Sequence, residues 1–246
     1  MAILYGIHPV EQALAAGRPL ECLLVARAGE HGRVKKLIDA ARRARVSIRF
    51  VSREELDREA DTRDHQGVVA VVGSRHYLDL EDLLAQAKQP ALFVLLDGVE
   101  DPHNLGAILR TAYCAGADGV VLPERRAAGI TPVVEKASAG ASEHLSVARV
   151  TNMNRALERL KEAGVWLVGL DERATQSFTE VDLTGPTGLV LGGEGKGLHE
   201  QVRAKCDFLV GIPTAGAIRS LNVSVAAGVV LYEAVRQRRA KGGAKK

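Results

Sequence analysis

Polar side chains that could take part in chemistry are grouped in three segments of the chain, each at the end of an apolar run. In residues 96–112, the apolar run is followed by a proline-containing loop and by a helix that starts near Asn104. Arg110 lies off the apolar stripe of this helix, so its guanidinium could reach a ligand or a phosphate. The alternatives are a helix N-cap for Asn104 and a plain surface position for Arg110.

The second segment, residues 188–198, is a glycine-rich loop after an apolar run. Such loops often bind phosphates, but neither phosphate-binding motif is matched here. A P-loop requires Ser or Thr after its lysine, and Lys196 is followed by Gly197. A dinucleotide motif ends on a glycine where this chain has Glu200. A carboxylate at Glu194 would repel phosphates. It would suit a hydroxyl or amine donor, or a cationic ligand. The alternative is a tight turn without a ligand.

The third segment, residues 212–228, leads through a glycine-containing loop into a helix whose start carries Ser220, Asn222 and Ser224. Ser220 as the N-cap of this helix is the structural alternative. The small residues at 226–228 would allow another helix or a second subunit to approach closely.

The apolar pattern predicts the elements that must position these segments. From residue 91 onward, continuous apolar runs alternate with helical patterns, which is typical of a parallel sheet covered on both faces. Turn residues follow several of these runs at their carboxyl ends, the edge where open α/β sheets bind ligands. The predicted strands are 91–96, 119–122, 165–170, 188–191 and 208–212, and the predicted helices are 105–115, 133–142, 154–163, 198–204 and 221–239.

A smaller α/β unit is predicted at the N-terminus, with strands at 20–25, 46–51 and 68–72 and an amphipathic helix over 33–45. We therefore expect a first domain over 1–73, a linker over 74–90 and a second domain over 91–246.

Basic residues are concentrated in two places, which favours a polyphosphate partner, although a solvated helix face and a frayed terminus would explain them too. The first cluster consists of Arg33, Lys35, Lys36, Arg42, Arg43, Arg45, Arg49 and Arg53 against the single acid Asp39, and the tail carries Arg236, Arg238, Arg239, Lys241, Lys245 and Lys246.

Composition excludes several classes of protein. An apolar fraction of 46%, a charged fraction of 26% and a net charge of +3 are typical of a globular chain and not of a disordered one. No apolar run approaches the roughly 18 residues that would span a bilayer, and the first residues do not resemble a secretory signal. Cys22, Cys114 and Cys206 lie far apart, which supports neither a disulfide framework nor a zinc site. We expect a soluble cytoplasmic protein without a membrane partner.

In this order, the three segments closely resemble the signature motifs of the SpoU (TrmH-like) branch of the SPOUT RNA methyltransferases. The resemblance covers residues 91–240, and residues 5–10 and 65–68 are similar to the N-terminal part of the subgroup that methylates a guanosine 2′-oxygen in bacterial 23S rRNA. It implies an α/β fold with a parallel sheet and a deep C-terminal trefoil knot. It also implies a small N-terminal α/β domain of the ribosomal-protein L30e/L7Ae type that binds RNA.

The resemblance further implies S-adenosylmethionine as methyl donor, no metal, and a homodimer. The residues that it assigns to cofactor binding are Leu191, Gly192, Gly193, Ile212, Pro213 and Leu221. Those that it assigns to catalysis are Asn104, Arg110, Glu194, Ser220 and Asn222. Among these, Arg110 would favour the developing alkoxide, either directly or by holding the adjacent phosphate.

The implied activity is 2′-O-methylation of a guanosine in the P-site loop of 23S rRNA, in the peptidyl-transferase region. Two alternatives stay open. The substrate could be tRNA or an rRNA loop whose methylation confers antibiotic resistance. The protein could also be a non-catalytic RNA-binding factor in ribosome assembly.

Overall fold

The chain forms two compact units in a computed structural model that describes residues 2–27, 32–73, 76–216 and 220–243. The N-terminal unit comprises Met1–His76 and Ile130–His144, and the C-terminal unit comprises Tyr77–Gly129 and Leu145–Lys246. Parts of three predicted segments lie outside the described residues: the start of the linker at 74–75, positions 217–219 of the third segment, and Lys245 and Lys246 of the basic tail.

The described residues form ten strands and nine α-helices. The strands are β1 (Ala2–Tyr5), β2 (Leu20–Ala26), β3 (Ser47–Val51), β4 (Val68–Val72), β5 (Leu92–Asp97), β6 (Gly119–Pro123), β7 (Ser146–Val150), β8 (Trp166–Leu170), β9 (Thr187–Gly192) and β10 (Phe208–Val210). The helices are α1 (Ile7–Ala15), α2 (Arg33–Arg43), α3 (Arg53–Ala60), α4 (Leu80–Gln86), α5 (Pro102–Cys114), α6 (Pro132–Ala137), α7 (Met153–Glu162), α8 (Glu200–Arg203) and α9 (Val223–Gly243). Among the described residues, no helix combines the length and the apolar character that a membrane span requires.

The C-terminal unit contains the predicted parallel sheet. Its six strands run in the order β10-β8-β9-β5-β6-β7, and every neighbouring pair is parallel. The central strand β5 is buried at all six positions, as a strand covered on both faces must be. The chain leaves β5 toward β6 on one side, whereas β9 borders β8 on the other side, so the strand order reverses between β5 and β9. Ligands bind at such a reversal in open α/β sheets.

Strand β7 was not predicted from the sequence. Its residues Ser146 and Arg149 interrupt the apolar pattern, because β7 is the edge strand of the sheet, with a single parallel bridge from Leu78 on its outer side.

The N-terminal unit is built on a four-stranded mixed sheet in the order β1-β4-β2-β3. Helix α2 buries Val34, Leu37, Ile38 and Ala41 against this sheet, which confirms the predicted amphipathic helix. The eight basic residues between positions 33 and 53 are all exposed, so the basic cluster is a charged surface of this unit.

Two segments pack differently from the predicted organisation. Residues 80–86, expected in the linker, form α4 and bury Leu83 in the core of the C-terminal unit. Residues 130–144, expected in the second domain, belong to the N-terminal unit.

An ion cluster holds residues 130–144 within the N-terminal unit. The Arg18 guanidinium donates hydrogen bonds to Glu135 at 2.5 Å, to Glu143 at 2.7 Å and to the Gly73 carbonyl at 3.0 Å. The three side chains are only 10%, 4% and 6% exposed. Because buried carboxylates need a compensating charge, Arg18 makes the burial of this segment possible.

We expect Arg18→Ala to lower the free energy of unfolding by about 3–5 kcal/mol, because it removes the Arg18 guanidinium from two buried carboxylates. Urea unfolding followed by circular dichroism measures this loss. Arg42→Ala is the matched control, since Arg42 lies 3.8 Å from Asp39 in an exposed pair, and such pairs contribute about 0–1 kcal/mol. Equal effects of the two substitutions would contradict the role given to Arg18.

Candidate active site

The glycine-rich segment follows β9 as a loop whose backbone lies directly against its neighbours. A Cβ at Gly193 would lie 1.9 Å from the Gly98 carbonyl oxygen, and one at Gly192 would lie 2.0 Å from the Gly197 carbonyl carbon. Neither position has room for any side chain. The glycines are therefore required for close backbone contact between this loop and the loop after β5.

Asp97, the last residue of β5, holds both ends of this loop. Its backbone carbonyl accepts a hydrogen bond from Gly193 N at 2.8 Å. Its carboxylate accepts one from His199 N at 2.8 Å and lies 3.0 Å from His199 Nδ1. The Asp97 side chain is only 8% exposed. A single residue thus fixes where the glycine loop begins and where it ends.

One hydrogen-bonded chain joins the three predicted segments. Asn104 donates from Nδ2 to Glu194 Oε1, and its Oδ1 accepts from Asn222 Nδ2 at 3.0 Å. Asn104 is buried, and the partners lie 90 and 118 positions away along the chain. The structure therefore brings together three of the five predicted catalytic residues.

The observed starts of α5 and α9 contradict the two N-cap alternatives that the sequence offered for Asn104 and Ser220. Helix α5 begins at Pro102, and Asp101 is its N-cap and accepts from His103 N, so Asn104 is not an N-cap. Helix α9 begins at Val223, and Asn222 Oδ1 accepts from Ser224 N at 2.9 Å. The N-cap interpretation of Ser220 is therefore wrong, and Asn222 takes that position.

A cavity of about 500 Å³ opens at the carboxyl ends of β8, β9 and β10. Glu194, Ser220 and Asn222 line it, together with five of the six predicted cofactor residues: Leu191, Gly192, Gly193, Ile212 and Leu221. The exception is Pro213, which is exposed and does not line the cavity.

Arg110 lies apart from this group. It is exposed on α5 and does not line the cavity, and among the described residues it contacts no carboxylate. The site of the single chain thus lacks the cation that was predicted for it.

Two segments of the chain match family models. Residues 91–232 match the SpoU rRNA Methylase family, and residues 3–78 match the family described as RNA 2′-O ribose methyltransferase substrate binding. The chain belongs to the SpoU methylase family.

Similar proteins of this family match over nearly the full chain. A putative TrmH family tRNA/rRNA methyltransferase, YacO of Bacillus subtilis, is 45% identical over 96% of this chain and 96% of its own length. The 23S rRNA (guanosine-2′-O-)-methyltransferase RlmB of Pseudomonas putida is 44% identical over 97% of both chains. The crystal structure of the SpoU methyltransferase AviRb from Streptomyces viridochromogenes with AdoMet has a TM-score of 0.84 and 31% identity, over 97% of this chain and 90% of that one.

The predicted enzyme class and cofactor are confirmed: this SpoU methylase is an RNA 2′-O-methyltransferase that uses S-adenosylmethionine. The cavity fits this donor, because its volume lies within the range of about 300–1,000 Å³ that is usual for ligands of this size. Its backbone walls offer amides and carbonyls, and the carboxylates of Glu194 and Glu172 would suit a cationic ligand.

The cavity wall also contains a group that the sequence did not predict, residues 171–173, which directly follow β8. Burial by itself would raise the pKa of Asp171, but hydrogen bonds from Arg173 and Arg203 outweigh it and lower the pKa to about 2. Asp171 is therefore ionised, and together with Glu200, which also contacts Arg173, it balances the charge of these two arginines. Its position at the carboxyl end of a predicted strand was the available signal, as it was for Asp97.

We expect Asp97→Ala to raise the Kd for S-adenosylmethionine at least about tenfold, since hydrogen bonds to a charged group contribute about 1.5–3 kcal/mol each. Calorimetry with the purified enzyme measures this change. Amide hydrogen exchange without cofactor should accelerate at Gly193 and Gly197 as well as at His199, because the whole loop loses its anchor.

Asp118→Ala is the matched control, because the Asp118 carboxylate accepts from Lys88 N and Leu92 N at the opposite end of β5. It should lower thermal stability without changing the affinity for the cofactor. Faster exchange at His199 alone in the Asp97 variant, with unchanged cofactor affinity, would show that Asp97 does not hold the loop.

Proposed function

We propose that this enzyme methylates the 2′-oxygen of a guanosine in 23S rRNA, in the P-site loop of the peptidyl-transferase region, and that it acts as a cytoplasmic homodimer. The observation that carries the proposal is the chain Glu194–Asn104–Asn222 at the cavity. It places polar groups of all three motifs beside the site that fits the methyl donor. The similarity to the 23S rRNA enzyme of P. putida spans both units, which supports the choice of substrate.

The exposed basic cluster supports rRNA as the partner of the N-terminal unit. Its eight cations face solvent, and neutralising phosphates with such cations releases condensed counterions. The domain type implied by the resemblance, L30e/L7Ae-like, and the trefoil knot of the C-terminal unit stay predictions.

The chain's residues have defined tasks in this reaction. S-adenosylmethionine supplies a methyl group activated by its positive sulfur. A ribose hydroxyl is a poor nucleophile, so the site must align its oxygen in line with the methyl carbon and favour the loss of its proton. Glu194, Asn104 and Asn222 position the ribose and the loops, Ser220 lines the cavity beside them, and Arg110 stabilises the developing alkoxide or holds the adjacent phosphate.

The homodimer explains how Arg110 takes part although it lies outside the cavity of its own chain. On α5 it neighbours Tyr113 (45% exposed), three positions along the helix, and Val225 and Tyr232 expose 51% and 52% along α9. Helix α9 packs on α5, with Gly228 beside Thr111, so the exposed residues of the two helices can form one surface. We propose that this surface pairs with its copy and that each protomer inserts Arg110 into the site of the other.

Incubation of the enzyme with unmodified 23S rRNA and labelled S-adenosylmethionine should yield one 2′-O-methylguanosine in the P-site loop, mapped by mass spectrometry of nuclease fragments. A label at another 23S position would show that the P-site loop is not the target. A label only in tRNA, the other substrate class named for YacO, would show that rRNA is not the substrate.

We expect Arg110→Ala to lower kcat about 10²–10³-fold, as for other lost oxyanion donors, with the Kd for the cofactor nearly unchanged. Heterodimers of Arg110→Ala with Glu194→Gln test the dimer directly. If Arg110 acts across the interface, one of the two sites in such a heterodimer has both residues intact, and mixing two inactive variants restores activity. Mixtures that stay inactive would show that Arg110 acts within its own chain.

A further inference from the structure

Three arginines lie at the same sheet edge as the cavity, beyond β5. Arg125 and Arg126 follow the end of β6, and Arg149 is the penultimate residue of β7, opposite Leu122 in the register. We call these three residues the arginine rim. Because all strands of the sheet are parallel, the rim and the glycine loop share the carboxyl edge.

Backbone hydrogen bonds connect the rim to the cavity loop. Gly193 N donates to Asp97 O at 2.8 Å, Ala128 N to Val99 O at 2.9 Å, and Glu124 N to Val150 O at 2.9 Å. The loops after β9, β5, β6 and β7 therefore form one continuous surface. Since neighbouring strands lie about 4.8 Å apart, the three steps from β9 to β7 span about 14 Å.

The charges of the rim are not neutralised within the described residues. Arg125 and Arg126 are exposed, and neither they nor Arg149 contact a carboxylate there. Arg159 and Arg236 of the same unit differ in this respect, because they bind Glu81 and Glu233.

Arg149 is nevertheless held in place. Its guanidinium lies 5.1 Å from the centre of the Tyr77 ring and donates to the Glu124 carbonyl at 3.2 Å. Arg126 has a left-handed backbone, with φ of 57°, which is uncommon outside glycine. A guanidinium fixed by an aromatic ring and a carbonyl keeps its full positive charge for a ligand.

We propose that the arginine rim binds the phosphate backbone of the RNA on one side of the nucleotide that enters the cavity. This inference rests on the proposed function and names a contact surface for its substrate. A ribose presented to the cavity carries the RNA chain on both sides, so neighbouring phosphates must run over the surrounding loops. Guanidinium groups match phosphate oxygens in geometry and charge, and such contacts orient the RNA without reading its sequence.

The test is the double substitution Arg125→Ala/Arg126→Ala in the full chain, with unmodified 23S rRNA transcript as the probe. Equilibrium RNA binding over a series of KCl concentrations should show a Kd raised about tenfold and a salt dependence reduced by about one unit of log–log slope per lost contact. The Kd for S-adenosylmethionine by calorimetry and the melting temperature should not change.

Lys88→Ala/Lys161→Ala is the matched control, because it removes the same charge at the opposite sheet edge and touches neither basic cluster. Lys88 is exposed near the start of β5, and Lys161 is exposed shortly before β8, where it contacts Asp207. RNA binding of the rim variant that equals wild type, or that weakens no more than in the control, would overturn the inference.

Arg149→Lys keeps the charge at the third position while it removes the planar fork. It should weaken RNA binding and leave the salt slope nearly unchanged. If the enzyme binds rRNA but does not methylate it, this result contradicts the proposed function. The binding comparison between the rim variant and its control would still decide whether the rim contacts RNA.

Discussion

The active site depends on one buried amide. An asparagine side chain offers two donor hydrogens and one acceptor oxygen, and Asn104 directs one donor to Glu194 and its acceptor to Asn222. Because Asn104 is only 6% exposed, water does not readily replace a lost partner, and an unsatisfied polar group there costs about 1–3 kcal/mol. The positions of the three motifs are therefore coupled. A displacement of either partner loop leaves a buried polar atom without its bond.

This coupling requires loops that approach each other at backbone distance. Gly193 and Gly98 touch through main-chain atoms, and Asp97 fixes the loop at both ends with its carbonyl and its carboxylate. Because main-chain atoms form much of the cavity wall, many residues at this cavity can be glycine or apolar. Their side chains supply little of the polar recognition, which comes from amides, carbonyls and a few carboxylates.

The sequence predicted the elements that leave a local pattern of residues. It missed the features that depend on how distant segments of the chain pack together. Buried parallel strands are continuous apolar runs, so the central sheet and the loops at its carboxyl edge could be predicted. The edge strand around Arg149 lacks such a run, and residues 130–144 gave no sign that Arg18 binds them in the other unit. Asp97 resembled an ordinary turn residue because its partner His199 lies 102 positions away. Helical periodicity predicted that Arg110 lies off the apolar stripe, but its position outside the cavity follows from tertiary placement, which periodicity cannot show.

The distribution of charge determines which part of an RNA can enter the site. Glu194 and Glu172 at the cavity suit a cationic sulfur, and Asp171 neutralises Arg173 on the same wall. The same carboxylates repel a phosphate, so the sugar edge of a nucleotide approaches them at lower electrostatic cost than its backbone does. The phosphates on either side then require cations outside the cavity. In the proposed complex, the carboxylates at the cavity and the arginine rim outside it together favour the orientation in which the hydroxyl faces the methyl group.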